Sequence, residues 1–212
     1  MILITGGNGF LGKLVQEEIK KKNIKKLIFF TKHSSAFSIK NNIININLSS
    51  NNHLVKLFKA KKIKKIIHLA VSRNNISNPK IRSFNTLSHD IKILINLLEN
   101  SSNLSKILYL SSAAVYKSVI NKKNKNDIVK AKLVIDKIIN FILSTSNNKK
   151  LYKDSLISEN KLLDQTINPC NHKEDNLRLN GISKFISEII LREYCYENKV
   201  TLEIIRPYRM VK

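Results

Sequence analysis

The sequence predicts an α/β fold in which a doubly wound parallel sheet lies between two layers of helices. Short apolar strand candidates alternate with amphipathic helical segments along most of the chain, and a glycine-rich turn joins the first strand to the first helix. Apolar residues make up 42% of the 212 residues, which is enough for one packed core. We therefore predict a single domain over residues 1–212.

Six short runs of apolar residues are the strand candidates. They are Ile2–Thr5, Lys26–Thr31, Ile43–Ile46, Lys65–Ala70, Lys106–Ser111 and Thr201–Ile205. Apolar residues at helical spacing predict helices over residues 10–22, 51–60, 81–100 and 181–198. Strands that alternate with helices in this way are typical of a parallel sheet.

Residues 119–150 interrupt the alternation. They begin with a polar run at 121–126 and continue with a helical pattern over about 127–143. We predict an insertion at the rim of the sheet, in which the Asn- and Lys-rich tracts at 121–126 and 147–150 are loops.

The net charge of +23 is typical of proteins that bind nucleic acid or anionic membranes. However, Lys, Ile and Asn account for 91 of the 212 residues, and their codons can consist of A and T alone, so a coding bias explains the excess. Only six residues are Arg, the side chain that makes bidentate contacts to phosphate and guanine. We expect lysines spread evenly over the surface, and neither nucleic acid nor a membrane as partner.

Other sequence features predict a cytoplasmic protein without a metal. No apolar run approaches the roughly 18 residues of a membrane span, and a strand that starts at Ile2 leaves no room for a signal peptide. The two cysteines, Cys170 and Cys195, lack metal-ligand spacing, and so do the histidines. We expect two reduced thiols.

Four of the five glycines lie at positions 6, 7, 9 and 12. Between a strand and a helix, one glycine permits a tight turn, a second lets a pyrophosphate approach the backbone, and a third allows close packing of the helix on the strand. The free N–H groups of the helix would then hold the phosphate charge. The loop predicts a Rossmann domain, a three-layer sandwich, with NAD or NADP as cofactor.

The acidic residue that would bind an adenosine ribose should close the second strand, near Thr31. No carboxylate is present there, and Lys32 and His33 follow instead. Two interpretations stay open. Either Lys32 and His33 meet a 2′-phosphate, which favours NADP, or Lys32 is one more solvent-facing lysine.

Five motifs in order resemble the NAD-dependent epimerase/dehydratase family, the extended short-chain dehydrogenases that act on nucleotide sugars. They are Thr5–Gly12, Ile67–Ala70, Ser111–Tyr116, Asn180–Lys184 and Leu202–Pro207. The resemblance implies that Ser112 and Lys184 are catalytic residues. It also implies cofactor contacts from Gly6, Gly9, Phe10, Leu11, Gly12, Thr31, Lys32, Asn47, Leu48, Leu69, Ala70 and Lys184.

The chain departs from the family pattern at several places. The position of the catalytic tyrosine holds Asn180, and an amide has no ionisation near pH 7 with which to take up a proton. Asp90 stands for an asparagine of the family, and Asn47 for an aspartate near the adenine. Tyr208 and Lys212 repeat the Tyr-x-x-x-Lys spacing after the last strand, which we interpret as chance. Family members continue beyond this point, so we expect a C-terminally truncated member that lacks most of the substrate region.

The resemblance implies hydride transfer at a sugar carbon of a nucleotide-linked sugar, as in oxidoreductases and isomerases. Asn180 and the early end of the chain keep a second possibility open, a non-catalytic dinucleotide-binding or regulatory protein. A homodimer is compatible with either function. Ser112 and Lys184 also have ordinary structural interpretations, as a polar strand end and a surface lysine, and we expect His68 to be packed rather than catalytic.

Overall fold

The computed structural model describes residues 1–71, 79–112, 115, 128–144, 152–157, 175–207 and 209–211. The strands are β1 (Ile2–Thr5), β2 (Ile28–His33), β3 (Ser38–Lys40), β4 (Ile43–Ile46), β5 (Lys65–His68), β6 (Lys106–Leu110), β7 (Ile128–Lys130), β8 (Tyr152–Ile157), β9 (Thr201–Pro207) and β10 (Arg209–Val211). The helices are α1 (Phe10–Lys21), α2 (Asn51–Ala60), α3 (Pro79–Glu99), α4 (Ala131–Leu143) and α5 (Asp175–Glu197).

Eight strands form one sheet in the order β3-β4-β2-β1-β5-β6-β9-β8. All neighbouring pairs are parallel except β3 with β4 at one edge. This confirms the predicted doubly wound parallel sheet. β1 lies between β2 and β5, so the chain reverses its direction of winding there, and ligands of such sheets bind beyond the carboxyl ends of the strands at this point. β7 and β10 pair in a separate two-stranded sheet.

The alternation of side chains along each strand creates two cores, one on each face of the sheet. In β1, Ile2 and Ile4 pack on the face that α1 and α4 cover, and Leu3 packs on the opposite face. The opposite face is covered by α2, α3 and α5, with Leu54, Leu94 and Leu191 fully or almost fully buried. The predicted three-layer sandwich is therefore present.

The helix predicted inside the insertion begins at Ala131, and its predicted position at the rim is wrong. Val134, Ile138 and Ile142 are completely buried against the sheet in the same core as Leu11 of α1. The reason is that α4 is apolar on most of its surface, which makes it a core helix. The polar tracts at 121–126 and 147–150 lie outside the described residues, and the description of the chain as one domain with an insertion stays a prediction.

The carboxyl end of α4 is held by lysines from the amino-terminal ends of the strands. Lys26 Nζ donates to the carbonyl oxygens of Ile142 at 2.7 Å and Leu143 at 3.0 Å, and Lys65 Nζ donates to that of Ser144 at 2.6 Å. Lys106, which is buried, donates to Ser144 Oγ at 3.2 Å. Lys26 and Lys65 thus satisfy carbonyl groups at the end of the helix, and the charge of all three lysines opposes the negative end of the helix dipole.

Several predicted boundaries shift in ways that concern the site. β2 continues to His33, so Lys32 and His33 lie in the strand instead of after it. α5 begins at Asp175, six residues before the predicted helix, so Asn180 lies within it. β3 and β8 were not predicted. β3 is a three-residue, mainly exposed edge strand, and β8 follows the segment that we predicted to be an insertion.

Candidate functional site

The predicted site residues meet at the carboxyl edge of the sheet. Parallel strands end at the same edge, so the segments after β1, β4, β5 and β6 come together there. The glycine loop follows β1, Asn47 and Leu48 follow β4, and Leu69 and Ala70 follow β5. Ser112 follows β6, and Lys184 of α5 reaches the end of β6 through its ammonium group.

Three glycines of the loop are required by the fold itself. Gly6 has a φ of +74°, and a Cβ there would lie 2.9 Å from the backbone nitrogen of Ala70. A Cβ on Gly7 would lie 2.8 Å from Phe30 Cβ. A Cβ on Gly12 would lie 2.6 Å from the carbonyl oxygen of Gly7, because α1 packs tightly on the turn. Substitution of any of these would disturb the loop before it affected a ligand.

Gly9 is less restricted by the fold than the other three glycines. Its φ of −71° and ψ of 170° are open to any residue, and a Cβ there would meet only the carbonyl oxygen of Gly6, at 3.1 Å. Gly9 is the N-cap of α1 and has no side chain to satisfy the helix, so the N–H groups of Phe10, Leu11 and Gly12 have no partner within it. The first turn of α1 contains no acidic residue. An anionic group such as a pyrophosphate therefore fits beside Gly9.

Thr5 and Thr31 hold the glycine loop against the strand ends. The N–H of Gly6 donates to Thr31 Oγ1 at 3.2 Å, and that of Gly7 donates to the carbonyl oxygen of Thr31 at 3.0 Å. Thr5 Oγ1 accepts from the N–H groups of Leu69 and Ala70, each at 3.2 Å. Both threonines are buried. Thr31 thus has a structural contact, and its predicted contact with a cofactor stays a prediction.

His68 is packed as expected. Its Nδ1 lies 2.9 Å from Thr5 Oγ1, and its ring stacks on Tyr109 with the centroids 5.8 Å apart. Burial, with a smaller contribution from the charge of Lys184, lowers the pKa of His68 to about 3. The imidazole is therefore neutral near pH 7 and, with so low a pKa, a poor general base.

Lys184 is buried and points toward the strand ends, so the interpretation as a surface lysine is wrong. Its Nζ donates to the carbonyl oxygen of Leu110 at 3.0 Å and lies 4.9 Å from the ring centroid of Tyr109. Asn180 lies four residues before Lys184 in α5. Ser183 Oγ, next to Lys184, is a buried polar atom without a hydrogen-bond partner among the described residues.

A buried carboxylate, missed by the sequence analysis, joins α5 to the ends of β6 and β9. Glu188 accepts from Arg206 Nε at 2.9 Å and from Arg206 Nη2 at 2.6 Å, and it also accepts from Ser111 Oγ. Arg192 Nη2 lies 3.6 Å from the same carboxylate. Two features of the sequence could have indicated this ion pair: a glutamate four residues after Lys184 and an arginine within an apolar strand. Glu188 thus lies one helical turn after Lys184 and bonds to Ser111, the residue before Ser112.

Of the remaining predicted residues, some are buried in the two cores and others are at least partly exposed. The side chains of Leu11, Leu48 and Leu69 are buried in the two cores, so only their backbones are available to a ligand. Phe10 is 38% exposed. Asn47 Oδ1 accepts from the N–H of Ser49 at 3.0 Å and from Ser49 Oγ at 2.7 Å, which fixes its amide at the start of α2.

Lys32 and His33 are exposed at the end of β2. Asp90, the other departure from the family pattern, is half-buried in α3. Tyr116, Tyr208 and Lys212 lie outside the described residues. Within the described ranges, no three His, Cys, Asp or Glu side chains are grouped so that they could hold a metal ion.

The sequence profile of the NAD dependent epimerase/dehydratase family matches residues 2–133, more than half of the chain. The chain belongs to this family. The match includes the glycine loop, the end of β5 and Ser112, which belong to three of the five motifs that first indicated the family. A search of curated protein sequences gives no significant match.

Solved structures related to this family share its fold. UDP-glucose 4-epimerase from Thermotoga maritima, solved with UDP-glucose, is 15% identical with a TM-score of 0.59, and the match covers 97% of this chain and 54% of that one. The Brucella ovis UDP-glucose 4-epimerase, in complex with NAD, is 14% identical with a TM-score of 0.60, covering 97% and 50%. GDP-mannoheptose C4 reductase from Campylobacter jejuni, with NADP bound, is 15% identical with a TM-score of 0.59, covering 96% and 46%. The chain thus spans about half the length of these structures.

Proposed function

We propose that this protein binds NAD or NADP at the carboxyl edge of the sheet. The observation that carries the proposal is the environment of Gly9, where the N–H groups of the first turn of α1 have no acceptor within the helix and a Cβ would meet one described atom, the carbonyl oxygen of Gly6. The other three loop glycines maintain the turn, so Gly9 is the glycine whose small size serves a ligand.

Titration calorimetry with each dinucleotide tests this proposal. The wild type should bind one or both, and Gly9→Leu should abolish binding while the protein stays folded, because Gly9 has ordinary backbone angles. Asn52→Leu places the same side chain at an exposed position near the start of α2 and should leave binding unchanged. Absence of binding by folded wild-type protein would refute the proposal.

For the choice of cofactor we propose NADP. The end of β2 contains no carboxylate that would repel a 2′-phosphate, and the exposed side chains of Lys32 and His33 supply positive charge or hydrogen-bond donors there. Lys32→Gln should weaken the binding of NADP and leave that of NAD unchanged. Lys40→Gln, also an exposed strand residue, is the control. Equal losses for both cofactors would contradict the assignment.

We further propose a nucleotide-linked sugar as the second ligand and hydride transfer at a sugar carbon as the family chemistry. The cofactor, when bound, supplies the hydride acceptor or donor. Lys184 would hold the ribose through its ammonium group, and Ser112 would donate a hydrogen bond to a substrate oxygen. Saturation-transfer NMR with UDP-glucose and a GDP-linked sugar tests the ligand class, with free UDP and GDP as references.

A second candidate function is dinucleotide binding without turnover. It is favoured by Asn180, which lies four residues before Lys184 in α5 and cannot take up a proton near pH 7. Under this proposal the protein binds cofactor with ordinary affinity and shows no reduction of it by any nucleotide sugar.

We also propose a homodimer formed through α3 and α5, which pack together on one face of the sheet. Ile95 of α3 and Ile189 and Tyr196 of α5 are large apolar side chains with exposed fractions of 36%, 44% and 75%. Exposed apolar groups on adjacent helices are typical of a subunit interface. Analytical ultracentrifugation should give twice the chain mass, and Ile189→Glu should give a monomer.

A further inference from the structure

Ten lysines lie in two short segments, 20–26 and 59–65, which are distant in sequence and adjacent in the fold. β1 pairs with β2 and with β5, and Ile2 lies opposite both Ile28 and Lys65. The connections that lead into β2 and β5 therefore lie side by side at the amino-terminal edge of the sheet. The expectation of evenly spread lysines is wrong here, because strand pairing brings the two segments together.

Most of these lysines are available to a partner. Lys26 and Lys65 bind carbonyl groups at the end of α4, and Lys22 pairs with Glu18 at 3.3 Å. Six others are exposed and have no carboxylate partner among the described residues. We call these six the basic edge, and they are Lys20, Lys21, Lys25, Lys59, Lys62 and Lys64. The N-terminal ammonium group of Met1 lies between the two segments and contacts the carbonyl oxygen of Lys62 at 3.4 Å.

Two leucines protrude among these charges. Leu27 is 53% exposed and Leu143 is 47% exposed. Lys26 donates to the carbonyl oxygen of Leu143 at 3.0 Å, so the end of α4 adjoins the segment that contains Leu27. Exposed leucines within a lysine-rich surface are a combination typical of proteins that lie on anionic membranes.

We propose that the basic edge docks on the surface of an anionic lipid bilayer. The ammonium groups would lie among anionic headgroups, and the two leucines would enter the boundary of the acyl chains. A bilayer is favoured over a nucleic acid because neither segment contains an arginine or an aromatic residue, the side chains that read or stack on bases. Among the described residues no helix is long and apolar enough to cross a membrane.

When the basic edge rests on a bilayer, the proposed cofactor site stays accessible to solvent. The basic edge lies at the amino-terminal ends of the strands, and the glycine loop lies at their carboxyl ends. On the far side of the same edge, α3 ends at Glu99 and α5 ends at Glu197. The protein would therefore contact the bilayer with its β2-β1-β5 side. This proposal is independent of cofactor binding.

Co-sedimentation with vesicles tests the proposal on the full chain. The protein should bind vesicles that contain phosphatidylserine and not vesicles of phosphatidylcholine alone, and added salt should weaken the binding. A variant with Lys21, Lys25, Lys62 and Lys64 each changed to Gln should lose about fivefold in partitioning for every lysine replaced. The matched control changes Lys40, Lys56, Lys92 and Lys132 to Gln, which removes the same charge from other exposed positions.

A double variant of the two leucines separates bilayer docking from attraction by net charge. Leu27→Ser with Leu143→Ser should weaken binding to phosphatidylserine vesicles at unchanged net charge. Circular dichroism of every variant verifies the fold, which exposed substitutions should preserve. Equal losses in the two lysine variants would overturn the proposal. So would an RNA or duplex DNA complex that needs the same lysines while vesicle binding is absent.

Discussion

Glu188 and Arg206 form a two-pronged ion pair in the interior of the protein, with both side chains almost completely buried. Glu188 lies on α5, and Arg206 lies near the end of β9. Ser111, at the end of β6, donates to the same carboxylate. This pair connects α5, the helix that carries Lys184, to the end of β9. Ser111 adds the end of β6, next to Ser112, so the three residues together organise the part of the site opposite the glycine loop.

Removal of one member of this pair should destabilise the protein strongly. Glu188→Gln removes the carboxylate charge that the buried Arg206 guanidinium contacts through two nitrogen atoms, and breaking a buried ion pair in this way costs about 3–5 kcal/mol. Urea unfolding measures the loss. Glu188→Met combined with Arg206→Met removes both charges and should be less costly than the single change. Arg192→Gln, at the exposed margin of the network, should alter stability by less than about 1 kcal/mol.

Stability should fall in acid because of His68. Its pKa is about 3 in the folded protein against 6.5 for an exposed imidazole, so the unfolded chain binds an extra proton between these values. The free energy of unfolding therefore decreases as pH falls from 6.5 toward 3, by about 1.4 kcal/mol per pH unit from this residue. In His68→Asn this contribution disappears. The difference in the free energy of unfolding between wild type and variant should therefore shrink on acidification. Urea unfolding of both proteins at several pH values measures this difference.

Lys65 should stabilise α4 through its contact with the carbonyl oxygen of Ser144. Lys65→Met removes a charged hydrogen bond at the negative end of the helix and should lower the free energy of unfolding by about 1–2 kcal/mol. Amide hydrogen exchange should accelerate in α4 more than in α2. Lys64→Met changes the exposed neighbour and should leave exchange in α4 unaltered. Uniform acceleration in both helices would contradict a local role for Lys65.

Asn180 should limit turnover. General acid–base catalysis contributes about 10²- to 10⁴-fold, and the wild type lacks the tyrosine that would provide it, so we expect cofactor reduction by nucleotide sugars to be absent or very slow. Asn180→Tyr restores that group beside Lys184. A rate increase in this variant would show that the proton acceptor is the main deficit. Turnover by the wild type on the order of 1–10³ per second would instead show that another residue takes the proton.

Local patterns were sufficient to predict much of the fold. The helix at 51–60 and the strand at 43–46 have the predicted limits. The glycine loop was predictable because the backbone at Gly6 and the packing at Gly12 restrict the residue type within a few positions. The buried carboxylate at Glu188 was not predictable in this way, since its partners lie 18 and 77 positions away.

The sequence by itself determined the alternation of strands and helices, the phosphate loop and the family, because these depend on residues that are close together in the chain. Only the tertiary structure decided that α4 is a core helix and that Lys184 is buried beneath the strand ends. Tertiary structure also brought the lysines of two segments to one edge through the pairing of β1 with β2 and β5. Burial and charge proximity depend on which strands become neighbours, and that choice is made by the packing of the whole sheet.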